Sequence, residues 1–127
     1  DTLHIGTVVG KLEGKLEEVE EIEEEIEKKQ VKETKIRLSQ NWGKIKPTLA
    51  VSSGGLHPLH IPFLIKHLGK DLVMQFGGGI HGHKNGTIAG AKAARQAIDA
   101  TMNGISLKEY SKEHKELKVA IEMWVNK

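Results

Sequence analysis

The sequence predicts an α/β fold, in which successive strand–helix units lie on a parallel sheet, and three observations predict it. The run at 49–52 is too brief and too apolar for a half-exposed sheet, and 2–5 and 72–75 also read as short strands. Each run gives way to glycine: Gly6, then Ser53-Gly54-Gly55, then Gly77-Gly78-Gly79. A helical pattern follows each of these turns, so the chain reads strand, glycine turn, helix three times over. Parallel crossover units account for that repeat, because each helix covers its strand and returns the chain to the same end of the sheet.

The elements follow in order. Residues 2–5 form the first strand. Leu16, Val19, Ile22 and Ile26 then recur every three or four residues among glutamates, which predicts an amphipathic helix ending near Lys28 and Lys29. Its acidic start and basic end suit the helix dipole, and the glutamate run is a solvated face. Residues 31–48 connect irregularly; 35–38 are a candidate small strand, and Pro47 argues against helix there. After the strand at 49–52 comes a helix over about 59–68, with Pro62 in its first turn or at a bend and Gly69 as its C-terminal cap. The strand at 72–75 leads to the glycine triplet. Asn85-Gly86 then turns the chain into an alanine-rich helix at 88–102, whose small side chains permit close packing. Ser106 with Glu109 is a capping-box pattern opening a last amphipathic region that breaks near Ser111.

Composition narrows the function. A chain of 127 residues implies one domain, whose core is only marginal if its strands need neighbours on both sides. Apolar residues at 38% and charged residues at 28% fit a soluble globular protein. No run has the length of a spanning helix and no export leader is evident, so neither a membrane nor a secretory role is expected. The absence of cysteine removes disulfides and thiolate chemistry and is compatible with a cytoplasmic setting. A net charge of +2, with five scattered aromatic residues (two Phe, two Trp, one Tyr), gives no nucleic-acid footprint.

The turns hold the candidate chemistry. Glycines at a strand end let backbone N–H groups converge on an anion, and at 53–55 a serine hydroxyl adds a donor. Turns after adjacent parallel strands would then face one cavity, although the same glycines also suit turns that are merely tight. No nucleotide fingerprint is present. Lys11, between Gly10 and Leu12, is a compact cation in a loop and either meets a phosphate or oxyanion or is simply solvated. His4, at the end of its strand, either donates to a phosphate or packs as a satisfied polar group. His57, His60, His81 and His83 have spacings that invite a zinc assignment, but acidic ligands nearby are sparse and there is no HExxH, so capping, loop ordering and hydrogen bonding to a phosphorylated ligand are the expected jobs.

Three stretches, LHIGTVVGKLEG, QNWGKIKPTLAVSSGGLH and QFGGGIHGHKNGTIAGAKAARQA, closely resemble the carboxy-terminal part of the large subunit of ribulose-1,5-bisphosphate carboxylase/oxygenase (RuBisCO), especially the archaeal branch. The resemblance covers essentially the whole chain. It implies a partial TIM barrel, the last three strand–helix units (strands 6 to 8) over 1–104, with a helical C-terminal tail over 105–127. It implies that His4 lies near the distal phosphate of a sugar bisphosphate. Lys11 would be the mobile-loop lysine that orients CO2, positioned by Glu13. Ser53 would contact the hydroxyl backbone of the substrate, Gly54 belongs to the same turn, and Gly55, Gly77 and Gly78 would hold the proximal phosphate, while Gly79 shapes its turn.

The resemblance also implies Mg2+ held with a carbamylated lysine in the complete enzyme, and a homodimer or higher oligomer of complete chains. Motifs for that metal site are absent from these 127 residues. The isolated chain is therefore expected to lack carboxylase activity, since the missing amino-terminal part would carry the metal and the base. Ala50, Lys84 and Asn41 depart from residues common in the family, and the segment after Lys11 is unusually rich in glutamate. Two other functions stand beside the carboxylase: a RuBisCO-like enolase or isomerase of a phosphorylated sugar, and a noncatalytic phosphate-binding or structural subunit.

Overall fold

A computed structural model describes residues 1–9 and 15–125. Five strands and six helices follow in the order β1 (Thr2–Gly6), α1 (Leu16–Glu27), β2 (Gln30–Val31), β3 (Gln40–Asn41), β4 (Leu49–Ser53), α2 (Ile61–Leu68), β5 (Leu72–Gln75), α3 (Gly78–His81), α4 (Gly86–Met102), α5 (Leu107–Tyr110) and α6 (Lys115–Val125). A 3-10 turn, Pro58–His60, leads into α2. The α/β class expected from the sequence is the one observed. Among the described residues no helix is long and apolar enough to cross a membrane.

The chain divides into two compact units. One comprises Asp1–Gly54 with His67–Gln75, and the other Gly55–Lys66 with Phe76–Lys127.

The first unit holds a three-stranded sheet of order β1-β4-β5, parallel throughout. Ala50, Val51 and Ser52 are all buried in β4, which is why the central strand reads as a continuous run without alternation. Val19 of α1 is buried with Ile5, Ala50 and Val51, and α1 packs on β1 and β4. The helix ends one residue before Lys28, so Lys28 and Lys29 lie beyond its last turn rather than within it as the dipole argument expected.

The expected strand at 35–38 does not form. Pairing falls instead to β2 and β3, which make a short antiparallel ladder, and 35–38 belongs to the bend between them. Arg37 is the reason. Its side chain turns inward, only 5% exposed, donating from Nε to Lys32 O (3.2 Å), from Nη1 to Glu21 O (3.1 Å) and from Nη2 to Glu24 Oε2 (2.7 Å). The two bonds to Glu21 and Glu24 fasten the bend to α1, and within the bend the Nε bond to Lys32 O and the Thr34 amide on Arg37 O at 2.9 Å close it.

The second unit is helical. Gly90, Ala93, Ala94, Ala97 and Ala100 form a buried small-residue stripe on α4, and α3, α5 and α6 pack on that helix. At Gly90 the approach is closest: a methyl group there would run into the carbonyl of Ile80. Leu56, Ile61, Leu64 and Leu117 are fully buried and contribute roughly 1.5–3 kcal/mol each. The start of α6 is tied to α4 by Gln96, whose Oε1 accepts from the Leu117 amide at 2.9 Å while its Nε2 donates to Glu116 Oε2. Ser106 Oγ accepts from the Glu109 amide, so the serine half of the expected capping box is present, and the break near Ser111 separates α5 from α6.

One helix escaped the sequence reading. The residues Gly78–His81 wind into α3 although they open with two glycines, because Ile80 and His81 both donate to Gly77 O at 3.0 Å.

Candidate functional site

His4 and Ser53 come together at the carboxyl ends of paired parallel strands. In β1 and β4 the register runs Thr2↔Leu49, Leu3↔Ala50, His4↔Val51 and then skips to Gly6↔Ser52, so β1 carries one extra residue, a bulge. Gly6 takes it up at φ +95°, a conformation that side-chain-bearing residues rarely adopt. The bulge turns His4 so that Nε2 lies 2.5 Å from Ser53 Oγ, 49 residues along the chain. The Gly6 amide meanwhile donates to His4 Nδ1 at 3.1 Å. His4 is exposed and Ser53 half-buried, so the pair is accessible.

Past the bulge, Thr7 is buried and its hydroxyl bonds both the carbonyl and the amide of Val9, which orders the chain up to that residue. Lys11 and Glu13 lie outside the described residues. After Ser53, Gly54 and Gly55 have φ of +114° and +73°, so the serine is followed at once by a turn that only glycine makes without strain.

The glycine triplet separates by role. A Cβ on Gly79 would collide with the carbonyl of Leu56 and lie 2.7 Å from His57 Cα. Gly79 is therefore required by packing, as the turn-shaping role expected. Gly77 and Gly78 are exposed, and a Cβ on either meets nothing within 4 Å. Packing does not demand glycine at those two positions. Their bare backbone leaves room for a ligand to approach, and the Gly78 amide, first in α3, has no acceptor within the helix.

The histidines outside β1 have structural partners. His83 is buried: Nδ1 accepts from the Asn85 amide at 3.1 Å, so Nε2 carries the proton donated to Glu116 O at 3.1 Å. His81 Nδ1 is 3.1 Å from Thr87 Oγ1. His57 stacks on His60, with ring centroids 3.5 Å apart, and on Trp124 at 4.7 Å. Burial, and then the neighbouring His60, push the His57 imidazole down to about 4, and burial lowers His60 as well. Both rings are thus neutral packing groups at physiological pH. Among the described residues no group of three His, Cys, Asp or Glu side chains is placed to hold a metal ion.

A cavity of about 200 Å3 lies elsewhere in the first unit, between the last turn of α1 and the segment from Trp42 to Thr48. Thr48 precedes β4 whereas Ser53 ends it, so this cavity opens at the opposite end of the strand from the histidine–serine pair.

Comparison with known proteins shows the family. The model of the ribulose bisphosphate carboxylase large chain, catalytic domain, matches residues 1–124. The chain belongs to that family. It is 50% identical to ribulose bisphosphate carboxylase of Methanosarcina mazei over 129 residues, covering 100% of this chain and 30% of the relative. Identity to the Methanocaldococcus jannaschii carboxylase is 51%, over 98% of this chain and 30% of that one. The chain thus spans about a third of the length of the curated relatives it matches. Among solved structures it resembles the dimeric archaeal RuBisCO of Hyperthermus butylicus, with a TM-score of 0.87 and 42% identity over 98% of this chain and 29% of that one. It likewise resembles the octameric RuBisCO of Pyrococcus horikoshii, with a TM-score of 0.85 and 43% identity over 100% of this chain and 28% of that one.

Sequence reasoning found His4 and Ser53 separately but not the bond between them, nor the part played by Gly6. A signal existed: a glycine two residues after a histidine at a strand end is the pattern of a bulge that re-aims a side chain.

Proposed function

We propose that the chain supplies the sugar-bisphosphate-binding wall of a ribulose bisphosphate carboxylase large chain. In the complete enzyme CO2 adds to ribulose 1,5-bisphosphate and the product is 3-phosphoglycerate. The observation that carries this reading is the His4–Ser53 pair at the carboxyl ends of β1 and β4, the end of a parallel sheet at which ligands bind. Membership of the carboxylase family supports it. Residues 1–104 correspond to the last three strand–helix units of an eight-unit TIM barrel, and 105–127 to a helical tail.

Within that wall Ser53 meets the hydroxylated backbone of the substrate, with Gly54 and Gly55 closing its turn. Gly55, Gly77 and Gly78 offer backbone N–H groups to a phosphate, and their open surroundings at 77 and 78 support that role. His4 belongs to the end of the site that receives the distal phosphate. Lys11 brings a cation to the carboxylated intermediate, with Glu13 positioning it.

Magnesium is a cofactor of the complete family enzyme. The described residues do not fit a magnesium site, since no group of three metal-ligating side chains gathers among them, and no step here passes through the metal. That part of the chemistry falls to the remaining two-thirds of the large subunit. Complete chains assemble as homodimers or higher oligomers, in keeping with the dimeric and octameric relatives, and work in the cytoplasm. The names of the relatives favour carboxylation over an enolase, an isomerase or a noncatalytic subunit.

A chimera tests the proposal. The 127-residue chain replaces the aligned stretch of the Methanosarcina mazei carboxylase, and turnover of ribulose bisphosphate is followed by incorporation of labelled CO2. Turnover that Lys11→Met abolishes is the expected result. An assembled chimera that binds ribulose bisphosphate no better than a Gly77→Val, Gly78→Val variant would contradict it.

A further inference from the structure

The first unit carries opposite charges side by side. Residues 16–27 hold eight glutamates and no basic residue, whereas 28–46 hold six lysines and Arg37 against a single acid, Glu33. The two segments neutralise each other only at Glu24, which pairs with both Lys28 and Arg37. Among the described residues Lys29, Lys32, Lys35, Lys44 and Lys46 form no ion pair, and neither does Glu25. All five of those lysines are exposed.

Apolar side chains stand out in the same places. At the bend between β2 and β3, Ile36 and Leu38 are 60% and 73% exposed, with Arg37 turned inward between them and Lys32 and Lys35 alongside. On α1, Glu18, Ile22 and Glu25 are spaced to share one helix face, and Ile22 is exposed between the two carboxylates. That stripe runs on through Ile26 into the cleft of about 200 Å3 that Trp42, Ile45 and Pro47 line. The cleft is smaller than the roughly 300–1,000 Å3 of a small-molecule pocket and suits aliphatic side chains.

Bend and cleft lie at opposite ends of one hairpin. The Trp42 amide donates to Lys29 O at 2.9 Å at the base of the β2–β3 ladder, and the bend closes its other end. A two-fold axis across the hairpin therefore sets the bend of each copy over the base of the other, so that the same contact is made twice and closes.

We propose that the β2–β3 hairpin and the outer face of α1 form a self-complementary interface with a second copy of this chain. Ile36 and Leu38 of each copy sit in the cleft of the other, and Lys32 and Lys35 of each face Glu18 and Glu25 of the other. A polyanion fits less well, because the glutamate stripe beside the cleft repels it. The interface goes beyond the proposed sugar-bisphosphate site and shares no residue with it. Since the cleft opens at the far end of β4 from His4 and Ser53, association leaves that site open.

Charge exchange tests the interface. One variant of the 127-residue chain reverses the hairpin (Lys32→Glu, Lys35→Glu) and another reverses the helix (Glu18→Lys, Glu25→Lys); circular dichroism checks that each is folded, and sedimentation velocity reads the mass. The parent is expected to dimerise at low salt and to weaken about tenfold at roughly 0.5 M salt. Each variant alone should dimerise at least about tenfold more weakly than the parent, and an equimolar mixture of the two should recover the dimer, because every reversed charge then meets its opposite. Ile36→Ser, Leu38→Ser should weaken the dimer at every salt concentration. A mixture no larger than its components overturns the proposal. So does association indifferent to all four charge reversals, which would belong to the open edges at β1 and β5. Binding of heparin by a parent that stays monomeric would assign the lysines to a polyanion and overturn it as well.

The chimera tests the competing occupant, the remaining two-thirds of the large subunit. If that part covers the hairpin, the reversals lower the melting temperature of the chimera and leave its assembled mass unchanged, and the proposal fails. A mass that falls in each reversed chimera and returns when the two are mixed supports it.

Discussion

Gly79→Ala is the sharpest test of how the glycine triplet divides its labour. The added Cβ would stand 2.7 Å from His57 Cα and 2.9 Å from the carbonyl carbon of Leu56, and closer still to the Leu56 oxygen. Carbon atoms in contact sit at about 3.5 Å, so His57 Cα must retreat by roughly 0.8 Å and the Leu56 oxygen by more. The retreat is resisted because Leu56 is fully buried and His57 is stacked between His60 and Trp124. Overpacking of this kind costs about 3 kcal/mol, against which alanine regains up to ~1 kcal/mol of helix propensity. A net loss of about 2 kcal/mol lowers the melting temperature of a domain of this size by roughly 6–10 °C. Thermal unfolding followed by far-ultraviolet circular dichroism reads the shift. Gly78→Ala is the control, since its Cβ enters open space, and it should melt no lower than the parent. If Gly79→Ala also melts with the parent, the close approach to Leu56 and His57 is not a constraint on the fold, and the division of the triplet into a packing glycine and two ligand-facing ones collapses.

Three further outcomes are expected. Arg37→Ala strands the carbonyls of Glu21 and Lys32 and leaves the Glu24 carboxylate with Lys28 alone, and should cost about 3 kcal/mol, visible as a lower urea midpoint; Arg37→Lys should recover little, because an ammonium cannot span three separate acceptors. The His57 imidazole is pushed down to about 4, so the unfolded chain takes up that proton more readily than the folded one; stability is full above about pH 6.5 and falls as pH drops toward 4. Fluorescence of the stacked Trp124 should report that loss, and His57→Phe should flatten it. Glu23 is pushed up to about 7, by burial first and then by its hydrogen bond and repulsion with Glu27. Its contribution is full below about pH 4.5 and is lost as pH rises through 7, so Glu23→Gln should unfold at higher urea than the parent at pH 8 and show no such gain at pH 4.

The sequence by itself determined the class of fold and most of its elements. The strand at 49–53 announces itself because a central parallel strand is buried on both faces and cannot hide its apolar run; the strand at 72–75 carries a similar run although it pairs on one side only and is half-buried, and the alanine stripe of α4 announces close packing. Long motifs carried the family, since three of them in order are specific where a single glycine triplet is not. Local pattern failed where a long-range contact decided. The residues 35–38 have strand-like apolar positions, but Arg37 reaches three acceptors in α1 and its neighbourhood and bends the chain. Gly78–His81 looks like loop because glycine is a poor helix former, yet the Gly77 carbonyl collects two amides and winds a turn.

The site divides along the same line. His4, Ser53 and the glycines were legible as residue types at strand ends, which is a property of short stretches. Only the tertiary structure decided which of them meet. One additional residue in β1 shifts the register against β4, turns an imidazole toward a serine 49 positions away, and sets a backbone amide against its other nitrogen. A hydrogen bond depends on distance and direction between atoms, and no local pattern encodes those for residues brought together by the sheet.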